Sequence, residues 1–211
     1  MKIDIPKIPL ELTERNFNDI FYEEDPIHEM CIITGSDFSN EAVGRVQLYS
    51  SVIKNCTFTN TDFSNIDILD VRFENCDLSN VNLSKSSIHR VEFINSKLLG
   101  SNFSESSLGN VKFEHSILNM SSFGSSKLEK VVFQDASLQN ADFFDCKLKK
   151  VEFKECNINE VNFDDTSLKG IDISSSNFDA LTISVEDLKG CIVSTNQAIQ
   201  LSSLMGLIIK D

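Results

Sequence analysis

The sequence predicts an all-β solenoid: a four-sided parallel β-helix of about eight coils, ended by a short C-terminal helix and strand. Three observations predict it. Every fifth residue from Ile33 to Val193 is apolar, beginning Ile33, Phe38, Val43, Leu48 and Ile53. All 16 Phe except Phe17, Phe21 and Phe144 fall in that series. Val71, Val91, Val111, Val131 and Val151, then Ile171, recur at one fixed interval, each two residues before an apolar partner.

A period of five fits no ordinary element. On an α-helix five residues advance about 500°, which spreads the apolar positions over every face. In a straight strand an odd period sends successive apolar residues to opposite sides. The chain must therefore turn once every five residues and present the same positions to one axis. Residue i−2 shares the inward side, because extended backbone repeats every two residues. It is mostly small, as at Cys56, Thr61, Cys76, Ser86, Ser96, Ser101 and Ala141. The Val recurrence makes four turns one circuit. Between Phe93 and Phe153 the inward residues alternate Phe and Leu, which places Phe on two opposite walls. Coils spaced roughly 4.8 Å apart give a rod about 39 Å long.

Three segments follow in order. Residues 1–30 carry no five-residue register, and Ile3, Ile5, Ile8, Leu10, Leu12, Phe17, Ile20 and Phe21 suggest a cap lying over the first coil. Residues 31–193 form the β-helix. Residues 194–211 open with Ser194-Thr195-Asn196-Gln197, which reads as a capping box. Ala198, Leu201, Leu204 and Met205 follow at helical spacing, and Gly206 is a natural stop. Leu207-Ile208-Ile209 reads as a short apolar strand. One coil end cannot easily bury a helix face and a strand together, whereas two copies meeting end to end can. Leu201, Leu204, Met205, Leu207 and Ile209 are therefore the expected homodimer contacts, with a monomer cap as the alternative.

The five-residue units, such as Ala141-Asp142-Phe143-Phe144-Asp145 and Cys76-Asp77-Leu78-Ser79-Asn80, resemble the pentapeptide repeat family over about residues 31–193. The resemblance implies that the β-helix is right-handed and quadrilateral. Asp187-Leu188-Lys189-Gly190, Gln197-Ala198 and Leu204-Met205-Gly206-Leu207-Ile208-Ile209 resemble the C-terminal segment of the quinolone-resistance (Qnr-type) members. That likeness implies a rod-like dimer joined at its C-terminal ends. Its acidic surface would resemble duplex DNA, bind DNA gyrase or topoisomerase IV, and relieve quinolone poisoning. The register runs unbroken, so there is no room for the projecting loops on which drug protection depends in some members.

Composition bears on this expectation. Lys+Arg is 19 against Asp+Glu 32, a formal charge of −13. Nucleic-acid and anionic-membrane binders need clustered Lys/Arg, so direct binding of either is not expected. About 39 Å of duplex carries about −23. Residues 1–30 hold 3 basic and 8 acidic groups, net −5; residues 71–150 hold 10 basic and 9 acidic groups and nearly cancel, at net +1. Residues 151–190 hold 3 basic and 9 acidic groups, net −6. Glu160, Asp164, Asp165, Asp172 and Asp179 in that zone are the expected contacts to a positively charged topoisomerase gate. Acidity that serves only solubility stays open as the alternative, as does a scaffold for an unrelated protein partner.

No catalytic constellation stands out. Cys31, Cys56, Cys76, Cys146, Cys156 and Cys191 all occupy i−2 and read as small core residues with free thiols. His28, His89 and His115 are far apart, and the last two are expected to point outward. There is no metal-ligand spacing, phosphate loop or nucleophile elbow, so no enzyme, cofactor or metal is expected. No apolar run approaches the roughly 20 residues of a membrane span, and the N-terminus lacks a signal-peptide pattern, which suggests a soluble cytoplasmic protein. The Asn residues at i+2, including Asn40, Asn60, Asn80 and Asn140, fit unusual turn backbone and can stack into short ladders.

Overall fold

The structure, a computed structural model, describes residues 1–210. The chain winds as a parallel β-solenoid in which each residue pairs with the residue one circuit later, as in Val71↔Val91, Phe73↔Phe93 and Leu108↔Leu128. Wall A is centred on the column Ile33, Ile53, Phe73, Phe93, Phe113, Phe133 and Phe153. Wall B follows at Phe38 through Phe178, wall C at Val43 through Ile183, and wall D at Leu48 through Leu188.

Walls D and A form one ladder. Strands β1 (Thr13–Arg15), β2 (Ile27–Glu29) and β3 (Cys31–Thr34) open it. Strands β4 (Gln47–Lys54), β5 (Asp67–Glu74), β6 (Ser87–Ile94), β7 (Ser107–Glu114) and β8 (Lys127–Gln134) each run through the D–A corner without interruption. Strands β9 (Lys147–Lys149) and β10 (Glu152–Lys154) close it. Walls B and C are joined by single bridges, such as Thr57↔Asp77 and Asn82↔Asn102. A small pair, β11 (Val161–Asn162) with β12 (Leu181–Thr182), lies at the C-terminal end.

Corner geometry explains the composition of the repeat. Every fifth residue from Met30 to Gly170 has positive φ, a conformation that non-Gly residues other than Asn and Asp rarely adopt. The B–C and C–D corners add a turn bond, such as Thr61 N–H to the Phe58 carbonyl at 3.2 Å. The Asn ladder forms where the sequence allows: Asn60 donates to Asn40 at 3.1 Å and Asn80 to Asn60 at 3.0 Å. It stops at Gly100, which has no side chain to continue it.

Residue i−2 is small for a second reason. Its hydroxyl or thiol donates to the carbonyl of an inward residue one coil back, as in Thr61 to Phe38 at 2.7 Å and Ser101 to Leu78 at 2.8 Å. Cys146 donates likewise to Phe123 at 3.0 Å and Cys156 to Phe133 at 3.4 Å. On wall A the strand is continuous through its preceding corner, so those carbonyls are bonded in the ladder and Val can fill the position. Five of the six cysteines are buried and all six are free thiols. Burial pushes the Cys146 thiol up to about 12 and the Cys156 thiol to about 11.

The core is two orthogonal Phe ladders. Phe73, Phe93, Phe113, Phe133 and Phe153 stack with centroids 4.9–5.1 Å apart and planes within 7°. Phe103, Phe123 and Phe143 stack on the opposite wall, and the two ladders meet edge-on at 81–87°. Each Phe of these two ladders therefore has both favoured aromatic geometries at once.

Both ends depart from the sequence expectation. The register begins earlier than Ile33: His28 sits inward on wall D, paired with Leu48, and is fully buried. A polar residue at an apolar position concealed it. Phe17 and Ile20, in a 3-10 turn capped by Asn16, plug the tube, with Phe17 4.7 Å from Phe38 and 4.8 Å from Phe58. Residues 1–8 do not lie over the first coil. They run down the outside of the D–A corner, with Asp4 N–H bonded to Asn110 at 3.0 Å and Lys7 N–H to Asp70 at 2.8 Å. Ile5 and Leu10 are consequently exposed, at 62% and 104%.

At the C-terminus Ser194 caps α1 (Thr195–Leu201) through the reciprocal box with Gln197, and Gly206 ends the following turn at φ 71°. The strand expected at Leu207–Ile209 has no ladder, because a single chain offers it no partner edge; these residues are exposed. None of the helices is long and apolar enough to cross a membrane among the described residues.

Candidate functional site

The expected acidic contacts do not share one face. Asp164 and Asp165 lie on wall C, Glu160 on the adjoining B–C corner, Asp179 on wall B and Asp172 on wall A, all exposed. The fold brings Asp164 and Asp165 over Asp142 and Asp145 of the preceding coil, where the Asp145 N–H bonds the Asp164 carbonyl at 3.1 Å. Asp142 and Asp145 are the residues sequence reasoning missed. They fall in the segment whose charges nearly cancel, and only sorting by position within the coil reveals them. Asp172 turns to the opposite wall, where the Ser174 hydroxyl and N–H hold its carboxyl below the usual range. Asp179 accepts no side-chain bond; its N–H donates to Asn159 Oδ1 at 2.8 Å.

The counter-charge is also sorted by wall. Lys127, Lys147, Lys149 and Lys169 lie on wall D, with Arg90, Lys130 and Lys150 on its corner with wall A. Arg90 is engaged with Asp70 through two bonds of 2.6 and 2.7 Å, which lower the Asp70 carboxyl against the opposing effect of burial. A shallow hollow of about 390 Å³ lies beside this row at Gly109, where the His89 ring occupies the space a Cβ would take. His89 is therefore half-buried rather than fully outward, and burial lowers its pKa.

Four of the five expected dimer contacts share one surface. Leu201, Leu204, Met205 and Leu207 line a depression of about 460 Å³ with Val185, Leu188, Cys191 and Val193. Leu204, Met205, Leu207 and Ile209 are 39%, 59%, 55% and 52% exposed, and Ile208 is 89% exposed. Polar atoms are scarce there. A patch of this kind marks a place where another surface belongs.

The pentapeptide repeat region matches at residues 46–122, 86–163 and 116–193. The chain belongs to the pentapeptide repeat family. No curated protein matches the sequence. Similar solved structures include full-length QnrB1, a plasmid-mediated fluoroquinolone resistance protein, at 17% identity and TM-score 0.46, covering 86% of this chain and 100% of that one. A pentapeptide repeat protein of the Arabidopsis thaliana thylakoid lumen is 20% identical over 46% of this chain and 65% of its own, with TM-score 0.38. HetL, involved in heterocyst differentiation regulation in the cyanobacterium Nostoc, is 11% identical over 85% of this chain and 93% of its own, with TM-score 0.31.

Proposed function

We propose that this pentapeptide repeat protein is a non-enzymatic, cytoplasmic binding rod that dimerises end to end and occupies the DNA-binding gate of a type II topoisomerase, DNA gyrase or topoisomerase IV. The observation that carries the reading is the closeness of two surfaces. The acidic group Asp142, Asp145, Asp164 and Asp165 on wall C lies one to two coils from the apolar end around Leu204 and Met205. Joining two copies at that end sets two acidic groups about the twofold axis. A surface with clustered carboxylates is drawn to a groove built for phosphates, which carry about one charge per 1.7 Å of duplex. Sequence likeness at residues 187–209 to the Qnr-type end supports the same assembly.

The test is gyrase supercoiling in the presence of purified protein, with and without a quinolone. Inhibition, or restored supercoiling under drug, is expected at micromolar dimer. Asp164→Lys with Asp165→Lys should weaken the effect at least about tenfold, as reversal of rim charges that steer association does. No effect of wild-type protein in either arm overturns the proposal. A scaffold for another protein partner is the second reading, and the basic wall D favours it, because phosphate mimicry has no use for clustered lysines.

A further inference from the structure

We propose that the lysine-rich part of wall D is a docking track for an extended acidic segment of a partner protein, laid along the rod axis. Lys127, Lys147, Lys150 and Lys169 are all exposed, and among the described residues none of them makes an ion pair. Lys127 and Lys147 are register partners in adjacent coils, about 4.8 Å apart at the backbone. Like charges directly opposite are unfavourable in a sheet, and an anion laid across them removes that cost. In a protein of net charge −13 this is a concentration of positive charge that solubility does not explain.

The molecule itself displays the binding mode on the adjacent edge. Its residues 1–8 run parallel to the axis, and Asp4 pairs with Lys130 at 3.5 Å. The strap meets Asn110 through Asp4 and Asp70 through Lys7, so three strap residues span two coils. Three extended residues cover about 10 Å and two coils about 9.6 Å, so the two repeats are commensurate. A partner segment with acidic residues at i and i+3 would meet Lys127 and Lys169, which lie two coils apart on wall D, with Lys147 in the coil between them. Width selects the occupant. One wall is about three extended residues, roughly 10 Å, across, and it is bordered by Asp145 and Asp165 on one side and Glu152 and Asp172 on the other. A duplex, whose grooves alone are roughly 12 and 6 Å wide, would overhang those carboxylates; a single extended peptide would not.

The full chain should bind a fluorescein-labelled peptide of about 12 residues with Asp at every third position, read by anisotropy at low salt. Lys127→Glu with Lys147→Glu should weaken binding at least about tenfold, and the paired Gln variant should fall between. Lys97→Glu on the opposite wall should leave it unchanged, and the wall D variants should keep the wild-type melting temperature because these side chains are exposed and make no ion pair. A scrambled peptide of equal charge should bind more weakly. Binding that ignores the wall D reversals overturns the proposal, as does equal binding of duplex DNA. Loss of self-association in the reversed variant, without loss of peptide binding, reassigns the wall to a second copy and overturns it too.

Discussion

A single histidine shows how one side chain can hide a structural boundary and set a pH dependence. His28 fills an inward position of the first coil, with Nε2 3.0 Å from the Phe17 carbonyl and Nδ1 without a partner. Burial lowers its pKa below the ordinary 6.5, with the Phe17 bond opposing and Arg15 adding to the effect. The unfolded chain protonates at its ordinary value while the folded ring stays neutral. Stability is therefore fully present above about pH 6.5 and falls as the pH drops through that value, by up to about 1.4 kcal/mol per pH unit until the folded ring also protonates. His89 shifts in the same direction, so the readout is the difference between wild type and His28→Leu. Urea unfolding at pH 7.5 and 5.5 should show the variant losing less stability between the two values. Equal losses would mean that the ring is solvated. The five-residue pattern was legible from Ile33 because those inward residues are apolar; at His28 the same position carries a polar group, and periodicity of hydropathy cannot register it.

At the level of elements, the tube ends require more explanation than its walls. Every interior coil has its backbone groups bonded by the coil above and below, but the last coil leaves carbonyls open. Gln197, one turn into α1, closes them: its Nε2 donates to Ile173 at 2.9 Å and to Ser176 at 2.8 Å, and its Oε1 accepts from Ser194 N–H at 2.8 Å. The residue that completes the helix cap thus also seals the solenoid. Gln197→Ala should cost about 1–3 kcal/mol, since two buried carbonyls lose their donor and the box is broken. Gln197→Glu should cost at least as much, because a carboxylate cannot donate to either carbonyl. Denaturation midpoints of both variants measure this; a neutral result for Ala would mean that water replaces the amide without loss. The capping box was legible because its residues are adjacent in sequence. The seal was not, since Ile173 and Ser176 lie a full circuit away. The strap at residues 1–8 escaped for a similar reason: its partners Asp70 and Asn110 are remote, and its alternating Ile residues read as cap material although only Pro6 is buried.

For the whole molecule, charge is organised around the axis rather than along it. Summed along the chain, residues 71–150 nearly cancel, at net +1, yet in space six of their ten basic groups lie on wall D and its corner with wall A, beside a single carboxylate, Glu129. Such a rod presents different chemistry to each side, and its binding properties depend on how copies are held. The apolar end decides that. Leu204 and Met205 are 39% and 59% exposed and contribute little to their own chain's core, so Leu204→Asp with Met205→Asp should fold normally while losing the joining surface. Sedimentation should find the wild type dimeric at about 10 μM and the variant monomeric. The wild-type melting temperature should rise with concentration and the variant's should not, because association stabilises only the folded form. Topoisomerase inhibition should fall with dimerisation, since one acidic group then acts without its twofold mate. A wild type that remains monomeric at about 100 μM would remove the symmetric arrangement on which the proposed gate occupancy rests, whatever the acidity of wall C.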